Sequence, residues 1–285
     1  MPTTEKINHN QAAPLGIIAG GGALPESVLL AAQAQGRAVY VAALKGSADV
    51  GFLDSIDHDF YNLGAGGSIV KALRKRKIKD IVMIGSVSRP NFSDLRPDLW
   101  TAGVIAKIGL KALGDNDLLV CIKDALEAEG FALRGAHEIA PGLITPEGLL
   151  TKHRPDKKTL IDIERGIDVA RALGAADVGQ AVIVYDGVVL GVEGIEGTDE
   201  LIKRCAGYRK KDKGGVLVKL CKLQQDKRLD MPTIGLKTLQ NLYDNGFEGI
   251  AIHAGQSLIP ERDAFIATAN NRKLFVLGVD LAQEA

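Results

Sequence analysis

Short unbroken apolar runs alternate along the chain with stretches whose apolar positions recur three and four residues apart. In the first half the runs LGIIAG (15–20), AVYVAAL (38–44) and DIVMIGSV (80–87) read as buried strands. Between them, Ala23 to Gln35 reads as a helix, with Pro25 in its first turn and Gly36 just past its end. Residues 66–77 carry a second helix with a basic C-terminal end, and helical spacing covers about 98–113 and 117–129. Strand and helix alternate, which predicts an α/β protein with helices on both faces of a parallel sheet.

The pattern changes at Pro141. The segment PGLITPEGLLTKHRPDKK (141–158) has no clean period and reads as a linker between a first domain, 1–140, and a second, 159–285. The second begins with a helix over 159–173, with Gly174 as its stop. AVIVY and VVLGVE flank Asp186-Gly187, a two-residue hairpin signal. A helix from Asp199, a strand at 215–220 and a polar loop, 221–234, follow. Then come a helix at 235–245, a strand at 249–254, a helix at 260–270 and a strand at 273–279. This half therefore mixes a hairpin with β-α-β units.

Composition narrows the function class. Lys plus Arg and Asp plus Glu each number 35 in 285 residues, so the chain lacks the basic excess that a nucleic-acid binder carries. Three cysteines without metal-like spacing suit a reducing cytoplasm better than a disulfide scaffold. The first eleven residues are polar and contain no signal core. No run approaches the roughly 18 apolar residues of a spanning helix, so a membrane would be touched rather than crossed.

Several loops carry candidate chemistry. Gly20-Gly21-Gly22 feeds a helix N-terminus, a place where backbone amides can face phosphate, although an ordinary tight turn explains it equally. It is a poor dinucleotide fingerprint, because Pro25 stands where the third glycine belongs. Arg89, in GSVSRP after the third strand, could grip a phosphate or simply face solvent. Gly114-Asp115-Asn116-Asp117 reads more readily as a helix cap than as a metal loop. In VEGIEGTDE (192–200), Thr198 can cap a helix and Asp199 and Glu200 suit its first turn, but capping leaves Glu193 and Glu196 unexplained. The loop from Lys219 to Gly235 mixes Asp226 and Asp230, hard oxygen donors, with Lys219, Lys222 and Arg228, which suit phosphate. His253 reads as a satisfied strand-end residue, and no Ser-His-Asp order or His-rich metal motif stands out.

Taken in order, AGGGALP (19–25), GSVSRP (85–90), GDND (114–117), VEGIEGTDELI (192–202), VKLCKLQQDKRLDMPTIG (218–235) and AGQSLI (254–259) resemble the LpxI family of UDP-2,3-diacylglucosamine pyrophosphatases. The resemblance spans nearly the whole chain. It implies a Rossmann-like N-terminal domain, a mixed α/β C-terminal domain and a lipid-bearing UDP-sugar held between them. It implies hydrolysis of that sugar nucleotide to 2,3-diacylglucosamine 1-phosphate and UMP in lipid A biosynthesis, with water attacking the α-phosphorus. It further implies Mg²⁺ or another divalent cation, a cytoplasmic enzyme in transient contact with the inner membrane surface, and a homodimer. Carried over by position, Asp226 is the expected essential acid, with Glu193 and Asp230 beside it and Asp226 and Asp230 on the metal. Glu196, Thr198, Asp199, Lys219 and Arg228 are expected at the substrate, and Gly20, Gly22 and Arg89 on the nucleotide side. A non-catalytic sugar-nucleotide binding module is the alternative; UMP release with and without a chelator separates the two.

Overall fold

The computed structural model describes residues 12–87, 96–108, 115–210, 213–222 and 225–281, with the backbone alone described at 108 and 115–117. The chain divides into two compact units, Met1–Pro141 and Gly142–Ala285.

The first unit runs β1 (Leu15–Ala19), α1 (Leu24–Ala34), β2 (Val39–Leu44), β3 (Asp57–Tyr61), α2 (Gly66–Lys75), β4 (Asp80–Ile84), α3 (Leu99–Ile108), α4 (Asp115–Ala128), β5 (Ala132–Leu133) and the short α5 (Ala136–Ile139). Its sheet has the order β3-β2-β1-β4-β5. Every pairing is parallel. Ala19 pairs with Ala43 on one side and Ile84 on the other, so β1, β2 and β4 end level with one another. The chain crosses to opposite sides of β1, which makes the β1–β4 boundary the switch point where such sheets open a crevice beyond their strand ends. Leu15, Ile17, Val41, Leu73 and Ile81 are fully or almost fully buried. Gly16 lets α2 approach, since a Cβ there would lie 2.5 Å from Leu73 Cδ2. The hydrophobic pattern predicts β1, β2 and β4 but not β3, whose DHDFY sequence is mostly polar.

The second unit contains β6 (Gly148–Leu149), α6 (Lys157–Ala175), β7 (Ala181–Tyr185), β8 (Val188–Val192), α7 (Gly197–Ala206), β9 (Val216–Lys219), α8 (Leu236–Asp244), β10 (Gly249–His253), α9 (Arg262–Asn271) and β11 (Phe275–Val279). Its sheet order is β6-β11-β10-β9-β7-β8. Strands β9, β10 and β11 are parallel, whereas β7, β8 and β6 run antiparallel to their neighbours. On one face Ile183, Leu217, Ile250 and Val276 pack with Leu201, Leu239 and Phe265 from α7, α8 and α9. On the other, Val182, Val184, Val216 and Val218 pack with Ile163 and Ala170 of α6. Burial on both faces explains why the central strands read as unbroken apolar runs.

The expected hairpin forms, with Asp186 (φ 51°) and Gly187 (φ 77°) in the left-handed conformation its turn requires. The buried Asp162 carboxylate of α6 accepts both turn amides, from Asp186 at 2.9 Å and Gly187 at 2.6 Å. Residues 141–158, read in sequence as a linker, instead carry a 3₁₀ turn (Pro141–Leu143) and β6, and Leu150 donates its amide to Val276. That pairing is long-range, so no local period announces it. α6 extends to Ala175, past the glycine expected to stop it.

Candidate active site

The strongest polar arrangement in the second unit begins where β8 ends. The Glu193 amide still donates to Ala181 O at 2.8 Å, holding the residue against β7. Gly179 permits this approach: a Cβ there would lie 2.1 Å from Glu193 O. Glu193 is 7% exposed. Its Oε2 accepts the Gln180 amide at 3.1 Å, and its Oε1 accepts the Thr198 hydroxyl at 2.5 Å. The expectation that Thr198 caps the helix is corrected here. α7 starts at Gly197 with Glu196 at its N-cap and no side-chain cap, and the Thr198 hydroxyl is committed to Glu193 instead.

Lys219 ends β9, paired with Ala181 of β7 and Ile252 of β10. Neighbours on both sides leave it 8% exposed. Its ammonium donates to Thr198 Oγ1 at 2.9 Å. An ammonium can only donate and an ionised carboxylate can only accept, so the hydroxyl between them is fixed in orientation. The result is a directed chain, Lys219 Nζ to Thr198 Oγ1 to Glu193 Oε1. Burial pushes the Lys219 ammonium below the ordinary lysine range, while the carboxylates of Glu193, Asp230 and Asp199 pull against that shift.

The 225–230 turn is organised around Asp226. Its Oδ1 accepts the Arg228 amide at 3.0 Å and Nε at 3.1 Å, and its Oδ2 accepts Nη2 at 2.8 Å. Its carbonyl accepts the amides of Leu229 and Asp230. The Gln225 side-chain amide donates to Asp230 Oδ2. Lys222 pairs with Asp177 at 2.8 Å. Nearby, Cys221 donates its amide to His253 Nδ1 at 3.3 Å. Burial, with the Lys227 and Arg171 cations, keeps His253 below its usual range, in agreement with an unprotonated Nδ1. This is the satisfied strand-end histidine the sequence suggests.

In the first unit the glycine turn is built differently from the phosphate cradle considered above. Gly20 donates to Ile84 O and Gly21 to Ser86 O, both at 2.8 Å, while Gly22 donates to Asp49 Oδ2 at 2.8 Å. All three amides are thus engaged within the protein. Glycine is needed for close approach, because a Cβ on Gly20 would lie 2.5 Å from Ser86 O.

Comparison with known proteins follows the same two-part division. The LpxI N-terminal domain matches residues 14–143, and the LpxI C-terminal domain matches residues 146–277.

The chain belongs to the LpxI family.

A curated LpxI relative, UDP-2,3-diacylglucosamine pyrophosphatase LpxI of Caulobacter vibrioides, is 41% identical over 273 residues, covering 93% of this chain and 97% of that protein. Within this LpxI chain, the structure brings Glu193, Thr198 and Lys219 into contact, with Asp199 and Asp230 in electrostatic reach of the lysine. Asp226 and Arg228 pair with each other. Asp199 pairs with Lys237 at 2.9 Å, and Glu196 with Arg204 at 2.6 Å. Arg89 and Gly114 lie outside the described residues, and Asp115 to Asp117 open α4. Sequence reasoning missed the roles of Gly179, Gln180, Gln225 and Asp49; a glycine two residues before a buried strand was the one available signal, at Gly179.

The oxygen donors of Asp226 and Asp230 have the right chemistry for Mg²⁺. Their arrangement does not fit one as it stands, since Asp226 turns both oxygens to Arg228 and Asp230 turns one to Gln225. Among the described residues, no three His, Cys, Asp or Glu side chains converge as a metal-binding group.

Proposed function

We propose that this LpxI protein hydrolyses UDP-2,3-diacylglucosamine to 2,3-diacylglucosamine 1-phosphate and UMP. The single observation that carries the reading beyond family membership is the buried Lys219–Thr198–Glu193 chain. A buried cation acts in a low dielectric, where its attraction for developing phosphate charge far exceeds that of a surface lysine. The hydroxyl and carboxylate behind it fix its position before substrate arrives, so little reorganisation is needed at the reacting phosphate. Asp226, held in its turn by Arg228, is the proposed essential acid: its carboxylate orients the attacking water once substrate phosphate draws Arg228 away.

The test is UMP release from UDP-2,3-diacylglucosamine by the purified chain. Lys219→Met should lower it by at least about a hundredfold, the scale for removing one group that stabilises transition-state charge. Release at the wild-type rate would refute the reading. Attack at the α-phosphorus is tested in ¹⁸O water, where label in UMP supports it and label in the sugar phosphate overturns it. Drawing a diacylated substrate from a bilayer also implies transient contact with the membrane surface. No described helix is long and apolar enough to cross one. Co-flotation with substrate-bearing vesicles would support such contact.

A further inference from the structure

Asp49 has no part in the chemistry above, yet it sits at the carboxyl end of the first sheet, in the loop that follows β2. Three loops leave the level carboxyl ends of β1, β2 and β4 and meet there. Gly21 and Ser86 form a bridge between the first and third. The second packs on the first, because a Cβ on Gly21 would lie 2.5 Å from Ser47 O. That second loop is itself fixed: Ser47 and Ala48 donate their amides to Leu44 O, and Lys45 donates to Tyr61 O. Its last contact is the Asp49 carboxylate, whose Oδ2 accepts the Gly22 amide 27 residues earlier in the chain.

The packing differs sharply around the turn. Cβ atoms at Gly20, Gly21 and Gly85 would all collide with neighbouring backbone, whereas a Cβ at Gly22 would meet nothing within 4 Å. Gly22 is therefore the open, exposed position of the turn, and Asp49, itself exposed, is bonded to it. With Oδ2 on Gly22, Oδ1 keeps lone pairs for a ligand hydroxyl. In parallel α/β sheets, an acid supplied after the second strand, beside the glycine turn after the first, is placed to accept hydroxyls from a ribose. β2 itself ends in Leu44-Lys45 without an acid, and the turn that follows brings one back.

We propose that Asp49 is the ribose-reading residue of the nucleotide site, accepting hydrogen bonds from the 2′,3′-diol of the uridine moiety. The proposal rests on the uridine-nucleotide reading above and adds the group that would distinguish a ribonucleotide from its deoxy analogues. It also gives the glycine turn a role that its engaged amides otherwise deny it, which is to bring Asp49 and the nucleotide together at a surface without side chains.

The experiment is calorimetric titration of the full chain with UMP and with 2′,3′-dideoxy-UMP, for the wild type and Asp49→Ala, with UMP release from UDP-2,3-diacylglucosamine followed separately. Hydrogen bonds from hydroxyls to a carboxylate are worth on the order of tenfold to a hundredfold in affinity. The wild type should prefer UMP by that factor, and Asp49→Ala should bind the two nucleotides nearly alike. If Asp49 is only a loop clamp, the substitution will weaken both nucleotides equally and leave the preference intact, which overturns the proposal. So does a wild type that binds both alike, or that binds neither. Absence of UMP release with the ribose preference intact would instead strike the hydrolase reading and leave Asp49 in place.

Discussion

At the scale of single residues, Lys219 sets the testable chemistry. Its folded-state pKa lies below the ordinary lysine value, chiefly through burial. As pH rises through that lowered value the ammonium loses its proton, so kcat/KM should fall on an alkaline limb centred below about 10.4, the unperturbed lysine value. Stability moves the other way. Between the folded and unfolded pKa values the unfolded chain binds more protons, so this group's contribution to stability rises with pH across that window. Activity lost while the fold is gaining from the same group identifies the cation as functional; a limb at or above the ordinary lysine value would show that its charge is not needed. Thr198→Val keeps the shape but removes the hydroxyl that links Lys219 to Glu193, leaving two buried ionic groups short of a partner. A loss of about 1–3 kcal/mol in urea unfolding and at least about tenfold in kcat is expected. An active Thr198→Val enzyme of unchanged stability would mean the chain is incidental. Asp226→Ala should lower kcat by about 10²–10⁴-fold. Because Asp226 also accepts the Arg228 amide and closes its turn, its removal should cost about 1 kcal/mol, more than an exposed loop change.

At the scale of elements, the Asp162 carboxylate accepts both amides of the β7–β8 turn, and β8 leads directly into Glu193. Asp162→Ala removes the carboxylate that accepts both turn amides and should destabilise the protein by about 1–3 kcal/mol in denaturant unfolding, the scale of hydrogen bonds to a charged group. A midpoint unchanged from the wild type would show that the turn holds itself. The hairpin was legible because Asp-Gly between two β-branched runs has few other readings. Strand β3 was not, because Asp57, His58 and Asp59 have low strand propensity and are tolerated only at an exposed sheet edge. β5 and β6 have two residues each and exist only by pairing with distant strands, so no period could show them. Residue roles followed the same division. Glu193 and Lys219 stood out by position in two unusual loops, whereas Thr198 read as a helix cap. The hydroxyl link joining them depends on β7 lying between β8 and β9, which is a fact of topology. Likewise, nothing local joins Asp49 to Gly22.

At the scale of the whole molecule, cations and anions balance at 35 each, and among the described residues the charged side chains that lie buried are Asp162, Glu193 and Lys219. The expected divalent-cation requirement belongs here, because the carboxylates of 226–230 are paired with Arg228 and Gln225 and would have to regroup around an ion. Exhaustive chelation should abolish UMP release, and Mg²⁺ should restore it. Full activity after chelation would remove the metal from the reaction and leave Lys219 as the principal counter-charge.

The short strand β6 has a consequence of a different kind. A sheet edge is a template on which any extended chain can add itself. Here β11 meets only the two residues of β6, laid down by a turn so close that a Cβ on Gly278 would lie 1.9 Å from Pro146 O. At the opposite edge the β7–β8 ladder shifts register between Ile183 and Val184. One margin thus offers too few rungs to copy and the other is out of step, so stacking into fibrils through either edge of the second sheet is disfavoured by construction.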